Sequence, residues 1–482
     1  MNKTILWYDI ETFGRSPYWD RVAQFACVRT DDRFEVVEDP KVIYCRITED
    51  YVPDPGACLI TGITPQETLE KGLSEYEFIK AVDAELSRPG TCVTGYNNIR
   101  FDDEFIRNLY YRNFFDPYGR EWKNGNSRWD IIDLVRVTRD LRPEGIIWPE
   151  DSEGKPQFKL EQLSKANGLE HAHAHDALSD VFATIGMARL IHDKQPKLFQ
   201  WVFRHRTKDS LRPFINLETK EPFLHTSGMF TRKEGCTTLV MPLTVDPKNR
   251  NCVLAYDLRF DPSDLVCLDA ASVRERIFTP ADELPEGEGR ISVKGIHINK
   301  CPVVAPVSTL DGNSEKRLGL DLEKCREHYR ILRANPSVVP KLREVFEVSP
   351  EFTNIEDPDM KLYSGGFFRD EDSEVFRAIH IMPPEELCRF RPHAYDPRIP
   401  EMFRRFLGRN FFNRLDEKEQ KKWISFCAGR ILMPPHPDML DIGTFRKKIE
   451  ALKNNTELSA GERTVVKALS DYQEYLENHI LK

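Results

Sequence analysis

No stretch of this 482-residue chain is apolar for long enough to span a bilayer, which takes about 20 residues. Paired cysteines are missing too. Eleven are scattered from Cys27 to Cys427 with no CxxC anywhere, which argues against zinc ribbons and disulfide scaffolds and for reduced, mostly buried thiols. No internal repeat or low-complexity linker breaks the chain. A secretory signal is not seen either, because the opening "MNKTILWYDIETFG" meets Asp9 and Glu11 too soon. A cytoplasmic protein with no membrane contact is expected. Positive charge is also short: the net charge is −9, at first sight an argument against an anionic partner. The deficit is uneven, however: residues 1–195 carry −10, residues 196–350 carry +3 and residues 351–482 carry −2.

What is present divides into three parts. Such a length exceeds what one core serves, so two to four domains are expected. Residues 1–195 alternate strand-like and helix-like segments. "TILWYDIET", "RVAQFACVRTD" and "VIYCRI" read as strands, and "TCVTGYN" as a further short one. "TPQETLEKG" has the grammar of a helix start, with Thr64 as cap, Pro65 at the first position and Glu67 three residues after the cap. An α/β domain with a mixed sheet follows. From residue 196 to 350, short strands such as "TTLVMPLTV", "NCVLAYDLRF" and "GIHINKCPVVAP" lie between Pro- and Gly-bearing turns and predict a small β-rich domain. Residues 351–482 read as mostly helical.

Acidic residues at the ends of these elements carry the chemical signal. Asp9 and Glu11 are two apart, so on a strand both side chains leave the same face. Two carboxylates following the apolar run "TILWY" are costly unless a cation or several donors neutralise them. Asp102 and Asp103 begin a helix after a strand, in "GYNNIRFDDEF", where helix capping is an equally ready explanation. The segment "HAHAHDALSD" holds the third acidic site: Asp176 caps the helix that runs through Ile191, and Asp180 lies one turn inside it. Ala177, Thr184 and Met187 share its face, and the small ones leave room for an ion. In extended form His171, His173 and His175 would alternate to one side, about 6.6 Å per two residues, as a zinc site would need. No cysteine or other fourth ligand stands nearby in sequence.

The ordered set of DxE, an aspartate about 90 residues on, and His-x4-Asp resembles the DEDD superfamily of exonucleases, in its His-bearing branch. "RVAQFACVRTD", "PGACLITGITPQE", "GYNNIRFDDEF", "NSRWDIIDLVR", "LRPEGIIWPE" and "HINKCP" extend the resemblance over most of the chain to the bacterial exodeoxyribonuclease I family. The resemblance implies an RNase H-like exonuclease domain over 1–195, an SH3-like domain over 196–350 and a helical domain over 351–482. It implies that Asp9, Glu11, Asp102 and Asp180 bind two Mg²⁺ ions, with Mn²⁺ able to substitute, and that His175 is the general base. His171 and His173 then remain loop residues. Oxygen-only ligands suit such hard cations better than zinc, and a histidine titrates near working pH.

The implied activity is 3′→5′ hydrolysis of single-stranded DNA to 5′-mononucleotides, in DNA repair and recombination, by a monomer. Thr12, Phe13, Leu59 and Thr61 are expected to hold the 3′-terminal nucleotide, with an apolar wedge against its base. Trp201, Phe230 and Lys300 are the aromatic and basic residues expected along the strand. Arg142 is expected to meet a backbone phosphate or the acidic C-terminal tail of single-stranded DNA-binding protein. Pro306 and Asp311 stand in a segment where polar or basic contacts to such a tail would be expected. "FRRFLGRNFFNR" near residue 403 reads as a packed helix with a solvated basic face. Two rivals remain: an RNA-trimming or proofreading nuclease, which uses the same five residues, and a catalytically silent binding protein, which would lack one of them.

Overall fold

The computed structural model describes residues 3–169, 176–230, 233–348 and 355–482. The chain forms two compact units, one from residues 1–127, 171–182 and 353–482, the other from residues 128–170 and 183–352. Among the described residues no helix is long and apolar enough to cross a membrane.

In the first unit, β1 (Thr4–Thr12), β2 (Val22–Thr30) and β3 (Lys41–Tyr44) form an antiparallel ribbon, and β4 (Thr91–Thr94) adds parallel to β1. The sheet order is β3-β2-β1-β4-β5, where β5 is the short Ser127–Arg128. This is the mixed sheet that the sequence predicts. β1 lies in the middle, its apolar residues Leu6, Tyr8 and Ile10 packing with Phe25, Phe78, Val82 and Phe105. Its far end is irregular: the register to β2 shifts between Glu11 and Thr12. Such a bulge re-aims side chains where a strand stops. Helices α1 (Pro55–Thr61), α2 (Pro65–Lys71), α3 (Glu75–Leu86) and α4 (Asp102–Arg112) follow in chain order. Thr64 caps α2 through the Glu67 N–H, as its sequence grammar requires. After β4 the chain passes so close to β1 that a Cβ on Gly95 would sit 2.6 Å from the Tyr8 carbonyl oxygen, so only glycine fits before α4.

The same unit buries a chain of alternating charges. Arg21 pairs with Asp50 at 3.0 Å, Asp50 with Arg409 at 3.2 Å, Arg409 with Asp359, Asp359 with Arg405 at 3.1 Å, Arg405 with Asp357 at 2.7 Å, and Asp357 with Arg430. Arg405 and Arg409 belong to the helix Ile399–Phe411, and both are buried. The expected solvated basic face of "FRRFLGRNFFNR" is therefore corrected: its arginines at 405 and 409 point inward, because buried aspartates await them.

The second unit holds α5 (Ile131–Leu141), α6 (Leu160–Ala166) and an antiparallel five-stranded sheet. Its order is β10-β6-β7-β8-β9, from β6 (Phe223–Thr226), β7 (Thr237–Val245), β8 (Cys252–Asp257), β9 (Val293–His297) and β10 (Val303–Ala305). The sequence predicts β7 and β8; its single candidate "GIHINKCPVVAP" divides between β9 and β10, and β6 is not foreseen. Asp140 of α5 accepts hydrogen bonds from the Cys236 N–H and the Thr237 hydroxyl, both at 2.7 Å, and so anchors the start of β7. α7 (Ala177–Lys194) is the longest helix of the N-terminal part of the chain. Helices dominate residues 355–482, as the composition predicts.

Arg409→Met should cost about 3–5 kcal/mol, since it leaves Asp50 and Asp359 buried without their shared cation. Urea unfolding followed by circular dichroism checks this; a loss below about 1 kcal/mol would mean the network is dispensable.

Candidate active site

Asp9 and Glu11 leave the same face of β1, as their spacing requires, and Ile10 between them turns into the core. Asp180 approaches from α7. One oxygen from each of Asp9, Glu11 and Asp180 can be chosen such that all three lie within 4.8 Å of one another. Asp102 is the fourth member. Its Oδ1 accepts the Ile10 N–H at 3.1 Å, so its carboxylate is held against the strand that bears Asp9 and Glu11. Asp102 is the first residue of α4 rather than its N-cap, which is Phe101. Asp176 does cap α7, accepting the Ser179 N–H at 3.2 Å, which fixes Asp180 one turn further in. Ala177, Thr184 and Met187 are buried along the same helix. His171, His173 and His175 lie outside the described residues, so the choice between base and histidine cluster rests on sequence alone.

Asp103 has a supporting place. It accepts the Tyr8 hydroxyl and an Arg120 N–H, each at 2.6 Å, beneath the start of α4. The sequence pattern offers no sign of Arg120, whose partner is 17 residues away and emerges only with the fold.

The electrostatics of the cluster are one-sided. Burial and then the neighbouring Asp102, Glu11 and Asp180 push the Asp9 carboxyl well above the usual range. Burial, Asp180 and Asp102 push Glu11 up to about 8. Elsewhere in the unit the same burial is outweighed: Arg112, Arg21 and Arg409 bring Glu75 down to about 2 despite it. At Asp9 and Glu11 the neighbouring groups named are carboxylates, each of which adds to the shift, and a hard divalent cation supplies what their oxygens call for. The donor set fits the group.

The expected nucleotide-contacting residues fare unevenly. Thr12 is buried and its hydroxyl donates to the Gly14 carbonyl at 2.6 Å. Phe13 is only 1 % exposed and packs with Tyr51, Val52 and Ile63, so its ring is core rather than wedge. Leu59 and Thr61, on α1, are half-buried and keep an open side. Phe230 is also core, packed with Phe223, Val240 and Ile296, and so is no stacking platform. Trp201 is half-buried; its indole N–H donates to the Val304 carbonyl at 2.9 Å and its ring packs on His205 and Phe214. Its free edge lines a groove of about 440 Å³ with Arg142, Pro196, Lys197 and Leu198. Lys300 is exposed on the turn after β9.

The pattern has close counterparts. An exonuclease family model matches residues 6–187, and models for the exonuclease I SH3-like domain and the exonuclease I C-terminal domain match residues 206–348 and 356–476. The chain is similar to exodeoxyribonuclease I of Escherichia coli, 45% identical over 421 residues, 87% of this chain and 88% of that protein. Its fold is similar to exonuclease I from Methylocaldum szegediense, with a TM-score of 0.93 and 44% identity over 98% of this chain and 99% of that one. It is equally similar to Escherichia coli exonuclease I solved with a dA16 oligonucleotide, with a TM-score of 0.94 and 41% identity over 98% and 100% of the two chains.

A pH dependence follows for metal-free protein. The Glu11 carboxyl is raised on folding from its ordinary 4.5 to about 8, so its contribution to stability is complete below the lower value and is lost as pH rises through the higher. Melting temperature in EDTA should fall between about pH 5 and 9, more shallowly for Glu11→Gln, and Mg²⁺ should restore it. Equal slopes for the two proteins would mean Glu11 is not strained by its neighbours.

Proposed function

The chain belongs to the exodeoxyribonuclease I family of exonucleases, and from that membership we propose that it shortens single-stranded DNA from the 3′ end, releasing 5′-mononucleotides, with two Mg²⁺ ions at the carboxylate cluster. The observation that carries this reading is the convergence of Asp9, Glu11 and Asp180 within 4.8 Å beside a backbone-fixed Asp102. Carboxylates gathered this closely, each raising the charge cost of the others at Asp9 and Glu11, favour binding of metal over any purely structural purpose. A zinc-bound Escherichia coli exonuclease I complex with single-stranded DNA adds support for a metal in this fold. The oxygen donor set favours Mg²⁺, with Mn²⁺ as substitute. The role is removal of single strands during DNA repair and recombination.

When bound, paired divalent ions supply a nucleophilic hydroxide and neutralise charge that develops on the phosphate. The protein does the rest. Asp9, Glu11, Asp102 and Asp180 would hold the ions, from β1, α4 and α7. His175, just before the Asp176 cap, takes the proton of the attacking water. Leu59 and Thr61 meet the terminal nucleotide, while Thr12 and Phe13 contribute the shape of the turn after β1 rather than their side chains. Lys300 offers a charge to the strand's phosphates.

The groove of Arg142 and Trp201 suits a different ligand. Cationic Arg142 and Lys197 beside apolar Pro196, Leu198 and Trp201 match an acidic peptide ending in apolar residues, such as the tail of single-stranded DNA-binding protein. A solved structure of SSB with exonuclease I and an inhibitor supports the pairing. In this chain Arg142 also donates to the Thr309 carbonyl at 2.9 Å and pairs with Asp311 at 3.4 Å.

Single-stranded DNA labelled at its 5′ end should shorten stepwise with Mg²⁺ and stay intact with EDTA, while duplex DNA and RNA are spared. Rapid trimming of RNA instead would favour the RNA-processing rival. Asp9→Ala, Glu11→Ala, Asp102→Ala and Asp180→Ala should each lose about 10³-fold or more in kcat. His175→Ala should lose about 10²–10⁴-fold yet still bind DNA, whereas His171→Ala and His173→Ala stay within a few-fold of wild type. Equal damage from all three histidines would restore the histidine-cluster reading. Asp311→Asn, which keeps an acceptor for the Ser314 N–H, should bind an acidic tail peptide about two- to five-fold more tightly at low salt by freeing Arg142. Unchanged affinity by fluorescence anisotropy would place the peptide elsewhere.

A further inference from the structure

The turn that follows the metal-bearing strand is held by one carbonyl. The Phe13 oxygen accepts the Tyr51 hydroxyl at 2.9 Å and the Asp54 N–H at 2.8 Å. Asp54 in turn caps α1, accepting the Gly56 N–H at 2.7 Å, and α1 carries Leu59 and Thr61. A single acceptor thus joins the end of β1 to the helix assigned to the terminal nucleotide.

The Tyr51 hydroxyl has a second neighbour. Asp20 Oδ1 lies 2.8 Å away, and Asp20 Oδ2 accepts the Ser16 N–H at 2.7 Å. The Asp20 carboxyl presses against the turn itself: a Cβ on Gly14 would fall 2.2 Å from its carboxyl carbon, so a side chain there would push Asp20 out of its place. A phenol carries one proton. With two acceptors facing it, Tyr51 satisfies Phe13 fully only if the Asp20 contact runs the other way, with Asp20 Oδ1–H donating to Tyr51 Oη and Tyr51 Oη–H donating to Phe13. Once Asp20 ionises, its carboxylate is the stronger acceptor and draws the Tyr51 proton to itself. The Phe13 carbonyl then keeps the Asp54 N–H alone.

We propose that Asp20 and Tyr51 are the positioning pair of the terminal-nucleotide pocket, holding the turn after β1 against α1 through the Phe13 carbonyl, and that this clamp is complete only while Asp20 carries a proton. The proposal rests on the assignment of Leu59 and Thr61 to the 3′-terminal nucleotide. The charges that face Asp20 are Asp54, which discourages its ionisation, and Arg21, which favours it. Each is already engaged, Asp54 with Lys448 at 2.9 Å and Arg21 with Asp50 at 3.0 Å. Burial, the largest influence, pushes the Asp20 carboxyl above its ordinary value. Neither residue touches the metal-binding acids, so the effect is expected in substrate affinity rather than in the chemical step.

The test uses full-length protein, Mg²⁺ and short single-stranded oligodeoxynucleotides, with KM and kcat measured across pH. Tyr51→Phe should raise KM about five- to ten-fold with kcat within two-fold, as the loss of one buried hydrogen bond implies. Asp20→Asn should keep the wild-type KM, because its amide N–H₂ donates permanently to Tyr51 and its carbonyl still accepts from Ser16. It should also remove the rise in KM that wild type shows as pH increases through Asp20 ionisation. If Asp20→Asn raises KM as much as Tyr51→Phe, or if wild type and Asp20→Asn share one pH profile, the proton-dependent clamp is wrong. If Tyr51→Phe fails to fold by circular dichroism, the Asp20→Asn profile decides alone. Leu59→Ala separates the underlying assignment: an unchanged KM there, with an altered KM in Tyr51→Phe, would retain the clamp and move the nucleotide away from α1.

Discussion

A carboxylate removed from water must find positive charge, and the first compact unit solves this requirement in two ways within one fold. Around Asp50, Glu75, Asp357 and Asp359 the protein supplies the charge itself, with Arg21, Arg112, Arg405, Arg409 and Arg430. At Asp50, Glu75 and Asp359 burial works to raise the carboxyl, and the arginines overcome it. Around Asp9 and Glu11 the neighbours named, among the described residues, are carboxylates, and every one of them deepens the shift upward. The contrast between the two groups sets the proposed metal site apart more sharply than proximity alone, since acids cluster on many surfaces for no chemical purpose.

The precision of the cluster comes from backbone groups and buried polar partners. The Ile10 N–H fixes Asp102, and the Asp176 cap fixes the first turn of α7 from which Asp180 projects. Behind Asp102, Asp103 is held by Tyr8 and Arg120 and keeps the start of α4 from drifting. Gly95 allows the chain to pass close to β1 on the way there. Each device is local, and together they bring residues from 9 to 180 to a few ångströms of one another.

How much of this could be read from sequence depended on whether a residue's role was local. Strand alternation placed Asp9 and Glu11 on one face, and capping grammar placed Asp176 and Asp180, because both rules act over a few residues. Aromatic and basic residues were harder. Phe13 and Phe230 are core while Lys300 is exposed, yet nothing in their flanking residues separates a packed ring from an open platform. Arg405 and Arg409 misled for a related reason: arginine is read as solvated by default, and its aspartate partners lie 46 or more positions away. β6, with only the four residues "FLHT", is too short for alternation to show and owes its existence to neighbours on both sides, β7 and β10.

The buried chain of arginines and aspartates responds to ionic strength differently from the contacts a nucleic acid makes. Mobile ions screen charges that water reaches, over about 8 Å at physiological concentration, and scarcely touch pairs enclosed by protein. Phosphate contacts of Arg and Lys, by contrast, weaken steeply with salt because counterions are released when they form. Added electrolyte therefore loosens contacts with a polyanion while leaving intact the framework around the acid cluster, and release of a bound strand is separated from unfolding by the depth at which each set of charges lies.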